Sequence, residues 1–307
     1  MLSRFSDAPS KRAPLGLLFL SLLVGLSLLV AACGSNGGTA ATTGTTPTAK
    51  PSIAAPTDLI TAGTLTVGSD TTYPPQEFVD TATGQATGFD IDLITEIAQR
   101  MGLKVDVKKA NFNTIIDDLN AKRYDVVISA VTINDERKQK AELIPYFNAG
   151  QSLLVQKGNP EQFKSIKDLC GKTAGVQDGT VELDALNAAS KDCTAAGKQA
   201  IHLTVLKDQT DVIQLLLNKR VVATYQDSPV TDYYLKLNPG QFEVAGSIVN
   251  AAPEGIALRK GDSSMIDAVQ AAFKAIKADG SYDKLFAKWQ LNPVQKIALT
   301  ADSKVYA

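Results

Sequence analysis

Residues 124–137 read Tyr-Asp-Val-Val-Ile-Ser-Ala-Val-Thr-Ile-Asn-Asp-Glu-Arg, and this stretch decides both the fold and the place of a site. Its first half is an apolar run of strand length, rich in β-branched residues, which predicts a buried strand over residues 126–129. Its second half is polar. Open α/β sheets bind ligands just outside the carboxyl ends of their strands, so the stretch predicts a binding loop after the strand.

Arg137 ends this stretch and carries its most specific chemistry. A planar guanidinium group can hold a carboxylate through two parallel hydrogen bonds, which a lysine cannot do. The segment therefore predicts a grip on the acidic end of a small ligand. The alternative is a surface loop in which Arg137 pairs with a neighbouring acidic side chain.

The composition of the whole chain excludes several classes of function. Its 307 residues suffice for two ordinary domains or one large one, and 44% hydrophobic with 21% charged residues is typical of a soluble globular protein. A formal net charge of −1 gives no basic footprint, so we expect no nucleic-acid partner. One histidine and three cysteines without metal-ligand spacing argue against a metal site, and no motif points to a cofactor.

The N-terminus is predicted to be a targeting segment. Positive residues precede an apolar run over residues 15–32, which ends in small residues before Cys33. This resembles a bacterial lipobox, which implies a lipoprotein signal peptide over residues 1–32 and a lipid on Cys33. An uncleaved signal anchor is the alternative, because 18 apolar residues can just span a bilayer.

Residues 33–57 are rich in Gly, Thr, Ala and Pro and cannot bury enough apolar surface to fold. They are predicted to be a flexible membrane tether. The protein is then expected to work outside the cytoplasm, held to the outer face of the cell membrane or on its periplasmic side.

After the tether, strands and helices alternate, which predicts α/β architecture with parallel strands and helices on the faces of the sheet. Strands are predicted at 65–68, 105–107 and 126–129, with helices at 90–101 and 115–119 between them. A double proline holds Tyr73 in an extended loop, and residues 80–84 form a hairpin turn.

The same order then recurs, which argues for two similar lobes. The second unit has predicted strands at 153–155, 173–176, 204–206 and 221–224, with helices at 180–189 and 211–217. Thr180 is the expected N-cap of the first of these helices. Three helices, at 228–237, 265–278 and 282–289, and short strands at 242–245 and 256–258 complete the chain.

Cys170 and Cys193 are the two cysteines that remain for the folded part. In an exported domain they are expected to pair, and closing the loop would contribute on the order of 3 kcal/mol. Two free buried thiols are the alternative.

Taken together, six segments resemble the extracellular solute-binding proteins of family 3, which bind amino acids for ATP-driven (ABC) importers. The resemblance covers residues 59–289, and each segment alone is weakly specific, whereas six in this order behind a lipobox are strongly so. The segments are 68–75 (Gly-Ser-Asp-Thr-Thr-Tyr-Pro-Pro), 87–93 (Thr-Gly-Phe-Asp-Ile-Asp-Leu), 125–129 (Asp-Val-Val-Ile-Ser), 132–137 (Thr-Ile-Asn-Asp-Glu-Arg), 175–180 (Gly-Val-Gln-Asp-Gly-Thr) and 279–284 (Asp-Gly-Ser-Tyr-Asp-Lys).

The resemblance implies a two-lobed periplasmic-binding-protein fold of type II. Each lobe would be a mostly parallel sheet flanked by helices, with two hinge crossovers between them. The implied bounds are 58–147 plus 248–291 for lobe 1, 148–247 for lobe 2 and 292–307 for a C-terminal tail.

The resemblance also implies a set of ligand contacts. Arg137 would hold the α-carboxylate, helped by Thr132 and by backbone N–H groups near Thr180. Asp227 would hold the α-ammonium group, assisted by Ser129 and Ala130. The remaining implied contacts are Tyr73 and Phe112 around the ligand side chain, Asp70 at its far end, and Gln177, Val181 and Gln226.

From the residues alone, other interpretations of these side chains stay open. Asp227 could be the N-cap of the helix at 228–237, Tyr73 and Phe112 could be aromatics that cover loops, and Asp70 could bond its own turn. Departures from the family pattern at Gln76, at Ala130 with Val131, and at Val181 affect the fine shape of the pocket.

The function implied is that of a monomeric, non-enzymatic binding protein for a polar or basic L-amino acid. Arginine, lysine, ornithine or glutamine would fit Asp70 and Gln177, and the protein would deliver its ligand to an ABC permease and ATPase complex. Two alternatives remain: an enzyme resembling periplasmic cyclohexadienyl dehydratase, using Asp70, Glu77 and Asp227, and a ligand sensor for a separate receptor.

Overall fold

The computed structural model of the protein describes residues 53–298 and begins with a parallel β-α-β-α-β unit. Strand β1 pairs in parallel with β5 on one side and β6 on the other, as the alternation of strands and helices predicts. The elements of this part are β1 (Thr64–Ser69), β2 (Thr72–Tyr73), β3 (Glu77–Val79), β4 (Ala86–Thr87), α1 (Phe89–Arg100), β5 (Lys104–Lys109), α2 (Ile115–Asn120), β6 (Val126–Val127) and α3 (Asp135–Lys140). Strand β6 is shorter than predicted, and β2, β3 and β4 form a small antiparallel sheet around the expected turn.

Two long antiparallel strands, β7 (Glu142–Gln156) and β11 (Phe242–Leu258), run through the centre of the molecule. The sequence predicted only short strands at 153–155, 242–245 and 256–258, and this was wrong. The middle of β11 is exposed, and its register with β7 shifts after Ala245, Val249 and Glu254. Exposed, bulged strand residues lack the alternation of apolar and polar side chains on which strand prediction depends.

The second parallel unit lies beyond β7. Its strand β10 pairs antiparallel with β7 and in parallel with β8, which in turn pairs in parallel with β9. Its elements are β8 (Thr173–Gln177), α4 (Val181–Ala195), β9 (His202–Leu206), α5 (Gln209–Leu217), β10 (Ala223–Asp227) and α6 (Ser228–Leu237); α7 (Ser263–Ala278) and α8 (Ser281–Lys288) follow β11. The helix predictions are confirmed within two residues at each end, except that α4 continues six residues beyond its predicted end at 189.

The main sheet has the strand order β5-β1-β6-β11-β7-β10-β8-β9. We call the half with β1, β5 and β6 lobe 1, and the half with β8, β9 and β10 lobe 2. This confirms the two-lobed α/β fold, with β7 and β11 as the crossovers. The domain bounds 147/148 and 247/248 stay predictions, and both fall inside these continuous strands.

Each lobe has its own core. In lobe 1, the ring of Phe89 lies 5.0 Å from that of Phe286 and 5.5 Å from that of Phe147, so α1, α8 and β7 pack around it. Burying side chains of this size contributes about 2–3 kcal/mol each. In lobe 2, the predicted disulfide between Cys170 and Cys193 is present and ties α4 to the segment before β8.

Candidate ligand-binding site

The site is a small cavity between the carboxyl ends of strands of both lobes. It measures about 10 Å³, the space of roughly one water molecule, because side chains of the two lobes contact each other across it. Every predicted ligand-binding residue except Asp70 and Gln226 lines it. The lining residues are Tyr73, Phe112, Ser129, Ala130, Thr132, Arg137, Gln177, Thr180, Val181, Glu182 and Asp227.

Arg137 reaches the cavity from α3, whose first turn is capped by Asn134; the Asn134 side chain accepts from the backbone N–H of Arg137 at 2.8 Å. Its Nη1 donates to the Thr132 carbonyl at 2.8 Å and its Nη2 to the Gly179 carbonyl of lobe 2 at 3.1 Å. The guanidinium carbon lies 5.3 Å from the centre of the Phe112 ring.

No ion pair among residues 53–298 involves Arg137, so the alternative of a loop arginine paired with a neighbouring acid is not what the fold contains. Burial lowers the pKa of Arg137 from its usual value, yet a guanidinium group keeps its charge at neutral pH. The cavity wall therefore carries a fixed cation whose side-chain hydrogen bonds go to carbonyl groups and not to a carboxylate.

Asp227 ends β10 and faces the cavity from lobe 2. It occupies the N-cap position of α6, as one interpretation proposed, but its side chain makes no capping hydrogen bond. Instead its Oδ2 accepts from the Tyr73 hydroxyl at 3.0 Å, while its own backbone N–H donates to that hydroxyl oxygen at 3.1 Å. Burial raises the pKa of Asp227 to about 6.

The turn after β6 is held from within lobe 1. Ser129 Oγ donates to Glu77 Oε1 at 2.8 Å and accepts from the Asp70 backbone N–H at 3.0 Å. Ala130 has a φ of 46°, a left-handed value that costs a non-glycine residue about 1–2 kcal/mol. Its N–H donates to Asp90 Oδ2 at 3.1 Å, which fixes this strained turn at the edge of the cavity.

The comparisons with known proteins agree with this geometry. Residues 65–292 match the model of the bacterial extracellular solute-binding proteins, family 3. The chain belongs to this family. Its members are extracellular by description, so the protein acts outside the cytoplasm.

Named relatives of this solute-binding protein bind amino acids. The L-cystine-binding protein TcyA of Bacillus subtilis (strain 168) is 32% identical over 236 residues, which cover 76% of this chain and 84% of the relative. The structure of an ancestral arginine-binding protein bound to arginine is similar with a TM-score of 0.68 at 38% identity, covering 74% of this chain and 98% of that one. The ancestral amino acid-binding protein AncCDT-1, described as a precursor of cyclohexadienyl dehydratase, is 36% identical with a TM-score of 0.67, over 74% and 95%.

The two predicted residues that do not line the cavity of the solute-binding protein lie behind it. Asp70 Oδ2 accepts from Gln177 Nε2 of lobe 2 at 2.8 Å and from Thr72 Oγ1 at 2.6 Å, and burial raises the pKa of Asp70 to about 6. Gln226 donates to Thr231 Oγ1 at 2.6 Å, inside lobe 2. Asp70 is thus one side chain away from the cavity, and Gln226 faces the interior of its lobe.

The amino end of α4 forms the lobe 2 wall beside Arg137. Thr180 is the predicted N-cap: its Oγ1 accepts from the Leu183 N–H at 3.2 Å and donates to the Gln177 carbonyl at 2.8 Å. Backbone N–H groups at the start of a helix favour an anion. Val181, the first residue of α4, lines the cavity next to them.

Sequence reasoning missed Glu182, which lines the cavity with only 2% of its surface exposed. Its carboxyl group lies within hydrogen-bond reach of Asp227, and burial, followed by the charge of Asp227, raises the pKa of Glu182 well above its usual range. An acidic residue in the first turn of a helix is ordinary, so its position two residues after the N-cap was the only available signal.

Further contacts join the lobes around the cavity. Lys109 pairs with Asp208 at 2.8 Å, Asn113 Nδ2 donates to Asp178 Oδ2 at 2.9 Å, and the Gln209 N–H donates to Thr72 Oγ1 at 3.0 Å. An incoming ligand therefore has to separate the lobes before it reaches Arg137.

Several predictions concern other parts of the chain. The signal peptide, Cys33, residues 34–52 of the tether and residues 299–307 of the tail lie outside the described residues. Within residues 53–298, no helix combines the length and the apolar composition needed to cross a membrane.

Proposed function

We propose that the protein is the substrate-binding component of an ABC importer for a polar or basic L-amino acid. The observation that carries this is the placement of Arg137 from lobe 1 and Asp227 from lobe 2 on the walls of one cavity. An amino acid is a zwitterion, and each of its charges needs an opposite partner when it leaves water.

In this proposal Arg137 holds the α-carboxylate, together with Thr132 and the N–H groups that begin α4 at Thr180. Asp227 holds the α-ammonium group, with Ser129 and Ala130 beside it. Because the two charged contacts come from different lobes, the ligand binds the closed form more tightly than the open form. That difference in affinity is what drives closure.

The ligand side chain would lie between Tyr73 and Phe112 and point towards Gln177 and Asp70. An ionised Asp70 at that end attracts a guanidinium or ammonium group and repels a second carboxylate, while Gln177 can bond an amide. Arginine, lysine, ornithine and glutamine therefore fit best, and aspartate and glutamate fit poorly.

Calorimetric titration with the common amino acids, ornithine and cystine tests the proposal. We expect tight binding of at least one among arginine, lysine, ornithine and glutamine. Tight binding of glutamate with none of arginine, lysine, histidine or glutamine would contradict the proposed specificity, and failure of every compound would contradict amino-acid binding.

We also propose that a lipid on Cys33 anchors the protein outside the cytoplasm, where as a monomer it delivers its ligand to a membrane permease and its ATPase. Support comes from the lipobox-like sequence and from family membership. Mass spectrometry of the protein extracted from membranes should detect an acylated N-terminal Cys33. An unmodified Cys33, or a chain that retains residues 1–32, would contradict the anchor.

The Glu182–Asp227 carboxyl pair favours one second candidate, a dehydratase-like enzyme, because acid-base catalysis uses such pairs. Incubation with arogenate and with prephenate discriminates between the two functions. Binding of an amino acid without turnover of either compound supports the transport role, and product formation that is lost in Glu182→Gln supports the enzyme.

A further inference from the structure

Glu182 lines the cavity, yet the proposed function gives it no contact with the amino acid. The Oε1 atom of this buried side chain has no hydrogen-bond partner among residues 53–298. Its carboxyl group lies against that of Asp227, the proposed partner of the α-ammonium group. Both residues belong to lobe 2, so their contact does not depend on closure of the cleft.

Two carboxyl groups in contact inside a protein cannot both be ionised without strong repulsion, so the pair holds one proton. The surrounding charges decide which residue keeps it. The groups that face the pair are Tyr73 from β2, Arg137 from α3, Tyr225 from β10 and Glu254 from β11.

Of these four groups, Arg137 carries a fixed positive charge. Burial raises the pKa of both tyrosines and of Glu254, which disfavours a negative charge on each of them. Asp227 also accepts a hydrogen bond from the Tyr73 hydroxyl, which favours its ionised form. Glu182 has its own backbone N–H as a donor, whereas its buried Oε1 atom has no partner among residues 53–298, so we place the proton on Glu182.

We propose that Glu182 is a positioning residue: its carboxyl group keeps its proton, donates a hydrogen bond to Asp227 and holds that carboxylate in place for the α-ammonium group. The inference rests on the proposed function, since it requires an amino acid whose ammonium group reaches Asp227.

The charges of the site balance in this arrangement. Arg137 and Asp227 supply one positive and one negative charge, and the zwitterion supplies one of each in the opposite places. An ionised Glu182 would add a negative charge without a partner inside the closed cavity, which is costly. Asp227 receives two hydrogen bonds before the ligand arrives, from Tyr73 and Glu182, and is therefore oriented from both lobes.

Three variants separate positioning from a merely structural function. Glu182→Gln keeps the shape and a donor through its amide N–H, Glu182→Met keeps the approximate volume without a donor, and Asp192→Asn changes an exposed acid on the same helix. Titration with L-arginine, or with the panel member that binds if L-arginine does not, is run between pH 5 and 8.5.

We expect Glu182→Gln and Asp192→Asn to stay within about threefold of the unmodified affinity at pH 7, whereas Glu182→Met loses at least about tenfold because a bond to a charged group is lost. The loss in the Met variant should shrink as the pH rises. Without its donor, Asp227 has a higher pKa and must give up a proton before it binds an ammonium group.

Titrations in buffers of different ionisation enthalpy count the protons exchanged. At pH 7 the unmodified protein should release almost none on binding, and Glu182→Met should release up to about one. Release of a full proton by the unmodified protein, an equal loss of affinity in the Gln and Met variants, or unaltered binding in the Met variant would each overturn the inference. If the Met variant does not fold, the proton count of the unmodified protein still decides. Failure of every amino acid to bind would instead overturn the proposed function.

Discussion

The two lobes contribute to the cavity in opposite ways. Lobe 1 presents a cation, Arg137 of α3, and a turn after β6 that its own side chains hold, since Ser129 bonds Glu77 and Ala130 bonds Asp90. Lobe 2 presents a carboxylate, Asp227, whose identified hydroxyl donor, Tyr73, comes from lobe 1. The difference teaches that the turn after β6 is held by lobe 1 alone, whereas Asp227 gains its tyrosine donor only where the two lobes meet.

Removal of the cation should have the largest effect on binding. We expect Arg137→Ala to lower the affinity at least about 100-fold, because an unpaired ligand carboxylate in a closed cavity costs about 3–5 kcal/mol. The melting temperature of the ligand-free protein should stay nearly unchanged, since the cost of burying the guanidinium group offsets its bonds to two carbonyl groups and its contact with Phe112.

Calorimetry together with thermal melts of the ligand-free protein measures both quantities. The matched control is Arg123→Ala, an arginine of lobe 1 with a 67% exposed side chain, which should alter neither. A large loss of stability in the ligand-free Arg137→Ala protein would mean that Arg137 stabilises the fold itself. It would contradict the interpretation that lobe 1 holds Arg137 ready for a ligand.

The disulfide tests the other lobe. Replacing Cys170 and Cys193 with alanine opens a loop closed by residues 23 positions apart and should destabilise the protein by about 3 kcal/mol. Denaturant unfolding monitored in both lobes should show lobe 2 unfolding first. Neither Asp227 nor Arg137 is bonded to the cysteines, so the variant should still bind arginine at a saturating concentration. An unchanged unfolding midpoint would show that the lobe 2 core holds α4 without the bridge.

A pH-dependent contact joins the lobes through Asp70. The pKa of Asp70 is about 6 in the folded protein against 3.8 for an ordinary aspartate, so between these values the folded state binds more protons than the unfolded state. Stability from this group is complete below about pH 4 and is lost as the pH rises past 6, by at most about 3 kcal/mol. Asp70→Asn should flatten this part of the stability profile.

Unfolding of the ligand-free protein at pH 4.5 and pH 7.5 provides the measurement. Asp106→Asn, which alters an exposed ion pair with Lys108, is the control and should keep the slope of the unmodified protein. If the free energy of unfolding of Asp70→Asn changed with pH as much as that of the unmodified protein, the titration would belong to other buried carboxyl groups.

The smallest effect is expected from the hydroxyl that links the lobes. Tyr73→Phe removes the donor to Asp227 and should destabilise the ligand-free protein by about 1 kcal/mol. Small-angle X-ray scattering should show a larger radius of gyration without ligand, because one contact across the cleft is gone. An unchanged radius would indicate that the Lys109–Asp208 pair and its neighbours suffice to hold the lobes together.

The sequence predicted the parts of this protein that local chemistry determines. Arg137 stands out because it follows the end of a buried apolar strand, where open α/β sheets bind ligands, whereas a contact of Asp227 with the ligand was implied by the family resemblance. Helices such as α1 and α7 were predicted from their apolar periodicity. The disulfide between Cys170 and Cys193 was predicted because two cysteines in an exported domain are expected to pair.

The rest depends on contacts between distant residues. The length of β11 was missed because its exposed middle resembles a loop. Asp70 lies away from the cavity wall because Gln177, 107 positions later in the chain, holds its side chain. Gln226 lies away from it because Thr231 of the next element, α6, holds its side chain. Glu182 gained its place in the site only because the fold brings α4 against the end of β10.

The pairing of β7 with β11 has a consequence for engineering. Gln151 lies opposite Val249, so the chain leaves lobe 1 and returns to it at two neighbouring points. Lobe 2 is therefore a single insert whose ends are side by side, and it can be exchanged between relatives as one cassette. Such a chimera would take Arg137 and the turn after β6 from the recipient, and Asp227 with the start of α4 from the donor, so one gene fragment would carry the whole lobe 2 wall of the cavity.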